Sequence, residues 1–196
     1  LTVGSVSDTA MAMSVSTSGI TSQGFDVKLS TTGALDLEAA VTLGGGDLTL
    51  NATGDVSQTA TGGITAAGLQ ILGSATVRLD SANNDVTTLA ANHTGSISYT
   101  DANSLTVGSV TDTAMAMSVS TSGMTSHGFD VKLSTGGALA IEQAITPGAG
   151  DLTLNATGDV SQTATGGITA AGLQILRRGT VRLHSATNDV TTLSAN

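Results

Sequence analysis

Apolar and polar residues alternate in short segments along most of the chain. Every second side chain is apolar in residues 25–29, 47–50 and 76–79. This spacing is typical of short β-strands with one buried face. The segments are separated by runs rich in Gly, Asn, Asp and Ser, such as residues 44–46 and 81–84. Such runs indicate turns, so the pattern predicts an all-β chain of many short strands.

The strand pattern recurs at a regular interval. Apolar tracks whose successive members lie 21 apart in the sequence join Val27, Leu48 and Leu69; Leu29, Leu50 and Ile71; Leu35, Val56 and Val77; and the pair Leu43 and Ile64. In a parallel β-solenoid, equivalent positions of successive coils stack about 4.8 Å apart, so such tracks become apolar ladders. The sequence therefore predicts a parallel β-helix of about nine coils, each of about 21 residues. We expect coils of different length between about residues 92 and 122, where the register is less regular.

A longer repeat is superimposed on the short one. Residues 105–196 align without gaps on residues 1–92, and 16 of these 92 positions differ. We interpret residues 1–104 as a first repeat unit of about five coils and residues 105–196 as a second, truncated unit. Both would belong to one continuous solenoid, and we expect the chain to be part of a longer array.

The composition excludes several classes of protein. The chain has 15 acidic and six basic residues, a net charge of −9, and nucleic acid binding needs clustered Lys and Arg. It has no run of about 18 apolar residues, so we expect no membrane-spanning helix. It has no Cys, which excludes disulfides and thiolate metal sites. Aromatic residues make up only 2%, which suits a narrow interior of Val, Leu, Ile and Ala.

One sequence phrase resembles a known family. GDLTLNATGDVSQTATGGITAAGLQIL, at residues 46–72 and again at 150–176, is similar to the repeats of filamentous haemagglutinin-type exoproteins. These are large bacterial surface adhesins secreted by the two-partner route. The resemblance is clearest over residues 25–90 and 129–194. It implies a right-handed parallel β-helix, an extracellular location at the bacterial cell surface, and no activity assignable to particular residues.

Acidic residues 21 apart are the first candidates for chemistry. Three pairs would stack on adjacent coils: Asp26 with Asp47, Asp80 with Asp101, and Asp130 with Asp151. Stacked carboxylates can bind Ca²⁺ through oxygen ligands, but the nonapeptide calcium repeat is missing. We therefore favour solvated turn residues and predict no metal site, with calcium as the alternative.

Paired carboxylates can also cleave polysaccharides. A sugar-cleaving groove needs aromatic platforms, and the aromatic residues are only Phe25, Tyr99 and Phe129. We therefore predict that the chain is not an enzyme and has no catalytic or cofactor-binding residue.

The remaining candidate residues are assigned structural or surface roles without chemistry. His127 and His184 replace Gln23 and Asp80 of the first unit, which indicates surface variation, and His93 lies in a third, unlike context. The pair Arg177 and Arg178 is interpreted as a solvated turn, with a docking patch as the alternative. Met11, Met13, Met115 and Met117 alternate with other residues and are predicted to fill the core.

Two surface features remain open. Asn51, Asn92 and Asn155 begin Asn-x-Ser/Thr triplets, which would allow glycosylation in an exported protein. Residues 59–61, Thr-Ala-Thr, resemble an ice-binding pattern but occur once per long repeat and not once per coil.

The sequence as a whole favours a structural role. We expect the shaft of a very large exported surface adhesin or extracellular matrix protein, acting as a rigid rod for adhesion or biofilm cohesion. One alternative is a binding module whose solenoid face contacts glycan or ice. Another is a self-assembling fibre held together by contacts between rods.

Overall fold

The structure is a computed structural model that describes residues 1–8, 15–114, 118–177 and 179–196, with the side chains of residues 6–8, 15–17 and 177 left undescribed. The described residues form 25 short strands and no helix. The strands are β1 (Thr2–Val3), β2 (Ser5–Asp8), β3 (Val15–Ser18), β4 (Ile20–Thr21), β5 (Val27–Thr31), β6 (Leu35–Leu37), β7 (Val41–Thr42), β8 (Asp47–Ala52), β9 (Val56–Gln58), β10 (Ile64–Ser74), β11 (Val77–Leu79), β12 (Asp85–Thr94), β13 (Ile97–Asp101), β14 (Leu105–Val107), β15 (Ser109–Asp112), β16 (Val119–Ser122), β17 (Met124–Thr125), β18 (Val131–Thr135), β19 (Leu139–Ile141), β20 (Ile145–Thr146), β21 (Asp151–Ala156), β22 (Val160–Gln162), β23 (Thr169–Arg177), β24 (Val181–Arg182) and β25 (Asp189–Ala195).

Two parallel sheets wind around one apolar interior. A nine-stranded sheet runs β1-β6-β9-β11-β13-β18-β21-β23-β25, and a twelve-stranded sheet faces it across the core. The chain visits both sheets in each turn, which confirms the predicted parallel β-solenoid with about 21 residues per turn. At about 4.8 Å per turn, eight turns give a rod about 38 Å long.

The apolar tracks predicted from the sequence become ladders in or against the core, with one exception. Leu29 pairs with Leu50 and Leu50 with Ile71, and the Val27 and Leu35 tracks are likewise in register. The prediction that Leu43 stacks on Ile64 is wrong, because Ile64 pairs with Val41. Leu37 to Val41 spans four steps, whereas Gln58 to Ile64 spans six, so the turn at residues 59–63 is longer than its equivalent in the preceding coil.

The solenoid has about eight turns and not the nine predicted, because two segments leave the coil. Strands β2 and β3 pair antiparallel, and so do β15 and β16, as hairpins that interrupt the winding. The interruptions run from Ser5 to Ser18 and from Ser109 to Ser122. Without them, the length of the chain corresponds to eight turns at about 21 residues per turn. The second hairpin accounts for the irregular register expected between residues 92 and 122.

Each hairpin is closed at its base by a pair of glycines. The Gly123 amide donates to the Gly108 carbonyl at 2.8 Å, and the Gly19 amide donates to Gly4 at 2.9 Å. Gly123 and Gly19 have φ of +70° and +75°, a left-handed conformation that glycine adopts without strain. The coil therefore resumes directly beside the point where it stopped.

Equivalent strands of the two units lie in opposite sheets. Strand β1 belongs to the nine-stranded sheet, whereas β14, its equivalent in the second unit, belongs to the twelve-stranded sheet. Strands β6 and β19, and β8 and β21, exchange sheets in the same way. Four steps lead from β1 to β13 within the nine-stranded sheet, and β14 follows half a turn later. The long repeat therefore spans about four and a half turns where about five were expected, and successive units face opposite sides of the rod.

Candidate functional site

The second hairpin, β15–β16, lies on the outer face of the twelve-stranded sheet. Beneath it, the outward-pointing residues Lys28, Thr49 and Gln70 stack at the same level of strands β5, β8 and β10. Thr49 and Gln70 are only 1% and 0% exposed, although they point away from the solenoid core. We call the surface that receives the hairpin the first seat, formed by Asp26, Lys28, Asp47, Thr49, Gly68 and Gln70.

Gln70 forms the centre of the first seat. Its Oε1 accepts a hydrogen bond from Thr49 Oγ1 at 3.0 Å, which links adjacent turns. Its Nε2 donates to the Val119 carbonyl at 3.0 Å and to Thr121 Oγ1 at 2.8 Å. One buried side chain therefore joins two turns of the solenoid to the hairpin, and its polar atoms are fully satisfied.

Gly68 leaves room for the hairpin. A Cβ atom at Gly68 would lie 2.9 Å from Val110 Cγ1, closer than carbon atoms pack. Val110 is 2% exposed and packs against the seat through its apolar side chain. The seat thus combines a recess, a central amide and charged residues at its edge.

Charged contacts hold the tip of the hairpin. Lys28 Nζ lies 2.8 Å from Asp112 Oδ2, and the side chain of Asp112 is 1% exposed. Asp26 accepts hydrogen bonds from both the amide and the hydroxyl of Thr113. Burial alone would raise the pKa of Asp26, but these bonds and one from the Asp47 amide outweigh burial and lower it. Burial and the neighbouring Asp26 charge raise the pKa of Asp47.

The Asp26 contact makes hairpin docking sensitive to acid. Because the folded pKa of Asp26 lies below the ordinary 3.8, its contribution to stability is complete above that value and is lost as the pH falls through the folded pKa. We expect hydrogen-exchange protection of the Thr113 amide to decrease below pH 3.8. Asp26→Asn should remove this acid-dependent step, whereas Asp130→Asn, the equivalent change in the second unit, should leave it. Thr113 protection that does not change with pH in the wild type would contradict the assignment.

Two of the three predicted acidic pairs stack in the structure, and the third does not. Asp26 and Asp130 stack below Asp47 and Asp151 as predicted, and each accepts a hydrogen bond from the next turn's amide, at 2.8 Å and 2.9 Å. The prediction that Asp80 stacks on Asp101 is wrong. Leu79 pairs with Tyr99, so the turn between them is one residue shorter than the regular ones. Asp80 instead accepts a hydrogen bond from Ser98 Oγ at 2.7 Å.

Asp101 is a buried residue that the sequence does not reveal. It is 1% exposed and accepts hydrogen bonds from the Val86 and Asn103 amides and from the Tyr99 hydroxyl, at 3.0, 2.9 and 2.8 Å. Burial raises the pKa of Asp101 despite these donors, and burial together with the Asp101 charge raises the pKa of Tyr99. Tyr99 is itself fully buried, so it cannot serve as an exposed platform for a sugar ring.

A second buried polar group lies at Asn84. Its Oδ1 accepts from the Ile64 amide at 2.9 Å and from Gln58 Nε2 at 2.6 Å, while its Nδ2 donates to the Leu79 and Thr100 carbonyls. Asn84 is 0% exposed, so it joins three successive turns without contact with water.

Removing this amide should be costly. Asn84→Ala leaves several buried donors and acceptors unpaired, and we expect a loss of about 3 kcal/mol in the free energy of unfolding. Asn188→Ala is the matched control, since Asn188 makes the same bonds to Gln162 and Ile168 but is exposed. Urea denaturation of both variants measures the difference. Equal losses would contradict the role of burial.

The remaining candidate residues are dispersed. His127 and His184 are exposed, as expected for surface variation, whereas His93 is fully buried, with Nε2 2.9 Å from the Ala75 carbonyl. Asn92 and Asn155 are exposed and Asn51 is half-buried. Met11, Met13, Met115, Met117 and Arg178, with the side chain of Arg177, lie outside the described residues.

Within the described ranges, no three His, Asp or Glu side chains converge as a metal-binding group. The same part of the chain contains no helix with the length and apolar character needed to cross a membrane. The clusters around Gln70 and Asn84 are internally hydrogen-bonded, and the first of them joins a hairpin to the solenoid.

A comparison with family models matches both repeat units. Residues 24–93 and 128–196 match a family described as repeats of unknown function (DUF5649). The two matched segments together cover more than half of the chain. Neither the curated proteins nor the solved structures give a match. The chain is therefore a β-solenoid member of the DUF5649 repeat family.

Proposed function

We propose that the chain is a shaft segment of a very large exported protein at the bacterial cell surface, where it serves adhesion or biofilm cohesion as a rigid rod. The resemblance to filamentous haemagglutinin-type repeats supports this role and a right-handed winding. The observation that carries the proposal is the stack of parallel turns over one apolar interior. Such a stack grows in one dimension by nearest-neighbour contacts, so repeating the unit adds length and not bulk.

The hairpin adds stiffness to such a rod. Hydrogen bonds between turns run along the rod axis, and bending the rod must stretch them. The β15–β16 hairpin lies across three successive turns of the solenoid. It contacts Lys28 and Gln70 directly, and Thr49, between them, bonds to Gln70. Its contacts therefore resist both bending and separation of these turns.

An ice-binding face has less support. Thr61 Oγ1 donates to the Glu38 carbonyl at 2.7 Å and lies 3.0 Å from Thr59 Oγ1, whose single hydrogen is shared between Thr61 and the Glu38 carbonyl. Thr163 and Thr165 repeat this arrangement around Glu142. These hydroxyls are engaged in holding adjacent turns together, which favours the shaft over a surface that orders water.

Immunogold electron microscopy of intact cells tests the proposal. Antibodies raised against residues 1–196 should label thin filaments outside the cell envelope without permeabilisation. Labelling found only inside permeabilised cells would contradict the exported role. Label on compact surface particles without filaments would contradict the shaft.

A further inference from the structure

The β15–β16 hairpin reaches far back along the solenoid from the point where it leaves the coil. It begins after β14 and ends before β17, and both of these strands pair with β12. From there β15 lies against β12, β10 and β8, and Asp112 at its end contacts Lys28 on β5. Strands β5, β8, β10 and β12 are consecutive neighbours in the twelve-stranded sheet. One hairpin therefore spans four successive turns.

The hairpin contacts join residues much further apart in the sequence than the bonds between neighbouring turns do. The bond between Thr49 and Gln70 joins positions 21 apart, which is one turn. The bond from Gln70 to Thr121 spans 51 positions, and the contact of Lys28 with Asp112 spans 84. A solenoid held only by contacts between neighbours can lose one turn whenever a single interface opens. The hairpin adds a second connection across the interfaces that it covers.

A gap opened beneath the hairpin must break contacts on one side of it. If β8 separates from β10, the hairpin can keep Lys28 or Gln70 but not both. Gln70 and the side chain of Asp112 are 0% and 1% exposed, so a broken contact leaves a buried amide or a buried charge without its partner. Such groups are costly until water reaches them, which requires the whole hairpin to lift. The interfaces under the hairpin are therefore coupled to one another.

We propose that the β15–β16 hairpin is a latch that makes the turns from Asp26 to Gly123 unfold as one block. These turns stay together while the hairpin is docked, and undocking, which breaks the contacts of Asp26, Lys28 and Gln70, is the step that limits their unfolding. The hairpin belongs to the second long unit and the first seat to the first unit, so the latch also fastens one unit to the other. The inference concerns resistance to unfolding and does not depend on where the protein acts.

Optical-tweezers unfolding of the full chain tests the proposal. The chain has no Cys, so one cysteine added at each end attaches the two DNA handles specifically. A single turn of about 21 residues should release about 65 Å, because an extended chain spans about 3.3 Å per residue. We expect steps of this size from turns outside the latch. Residues 26–123 should instead be released in one step of about 300 Å.

Deletion of the hairpin separates the latch from the stacking of the turns. Residues 109–122 are removed and Gly108 is joined to Gly123, whose amide already bonds to the Gly108 carbonyl at 2.8 Å. The step of about 300 Å should then divide into single-turn steps of about 65 Å. Deletion of residues 5–18, with Gly4 joined to Gly19, is the matched control. It should keep the large step, because the first seat holds the other hairpin.

Gln70→Ala keeps the hairpin but removes its central contact. We expect the large step to occur at least about tenfold faster at the same force, because two buried hydrogen bonds to the hairpin are lost. Gln174→Ala is the matched control, since Gln174 accepts the equivalent bond from Thr153 at 3.4 Å but is exposed. It should change the rate of the large step by less than about twofold.

Three results would overturn the proposal. The first is release of residues 26–123 of the wild type one turn at a time. The second is a step of about 300 Å that persists after deletion of residues 109–122. The third is an equal rate for Gln70→Ala and Gln174→Ala, which would assign the effect to the bond between neighbouring turns. The first and third results need no deletion variant, so they decide the question even if that variant does not fold.

Discussion

Leu50→Asp is expected to unfold the solenoid around the substituted turn. Leu50 is 0% exposed and lies in the buried ladder between Leu29 and Ile71. A carboxylate at this position loses its hydration, and the described core around it is apolar. We expect a loss of more than about 5 kcal/mol in the free energy of unfolding, which places the variant among the most damaging single substitutions.

The neighbouring turns should be affected as well. Each turn of a solenoid is stabilised by the two that flank it, so the stack should separate into independently unfolding parts. Far-ultraviolet circular dichroism with urea denaturation measures both the loss and the loss of cooperativity. Leu193→Asp is the matched control, because Leu193 is 64% exposed. A Leu50→Asp variant as stable as the control would show that the interior is not the closed apolar core described above.

Gly62→Ala is also expected to reduce the stability of the solenoid strongly. A Cβ atom at Gly62 would lie 1.9 Å from the Leu37 carbonyl oxygen, which is backbone of the preceding turn. Relief of this overlap must move the turn at residues 59–63, where the Thr59 amide bonds to the same oxygen at 3.0 Å. We expect a loss of about 3 kcal/mol in the free energy of unfolding.

A glycine in open space provides the control. No atom lies within 4 Å of a Cβ built at Gly45, so Gly45→Ala should change stability by less than about 0.5 kcal/mol. Urea midpoints of the two variants give the comparison. A Gly62→Ala midpoint equal to that of Gly45→Ala would contradict the close approach of the two turns.

The regular part of the fold follows from local pattern. Alternation predicts the strands, and the regular spacing of the apolar tracks predicts which residues stack, because both depend on side chains that face one narrow interior. The Leu29, Leu50 and Ile71 ladder is confirmed for this reason. The error at Leu43 arises in a turn, where additional residues change the register without changing the apolar pattern.

The hairpins could not be predicted, because apolar and polar residues alternate in them much as they do in the strands of the coil. Residues 109–112 and 119–122 have the period of any other strand, and only their antiparallel pairing sets them apart. The local signal is the pair of glycines at 108 and 123 that closes the hairpin base. The role of Gln70 could not be inferred either, since a polar residue at an outward position normally faces water. Its burial depends on a segment that begins about 40 residues later in the chain.

The burial of polar residues could not be predicted from the sequence either. Asp101 and Asp80 look alike in the sequence, but a turn shortened by one residue places Asp101 inside and leaves Asp80 exposed. A one-residue change in register moves a side chain to the other face of a strand. Spacing alone therefore cannot separate a solvated turn carboxylate from a buried one.

Each long repeat unit adds about four and a half turns to one rod. Small-angle X-ray scattering measures this for the chain and for a variant in which residues 1–104 are inserted again after position 104. We expect a rod longer by about 22 Å, at about 4.8 Å per turn, with an unchanged cross-sectional radius of gyration. An increase in the cross-section, or growth of the particle in all directions, would contradict it.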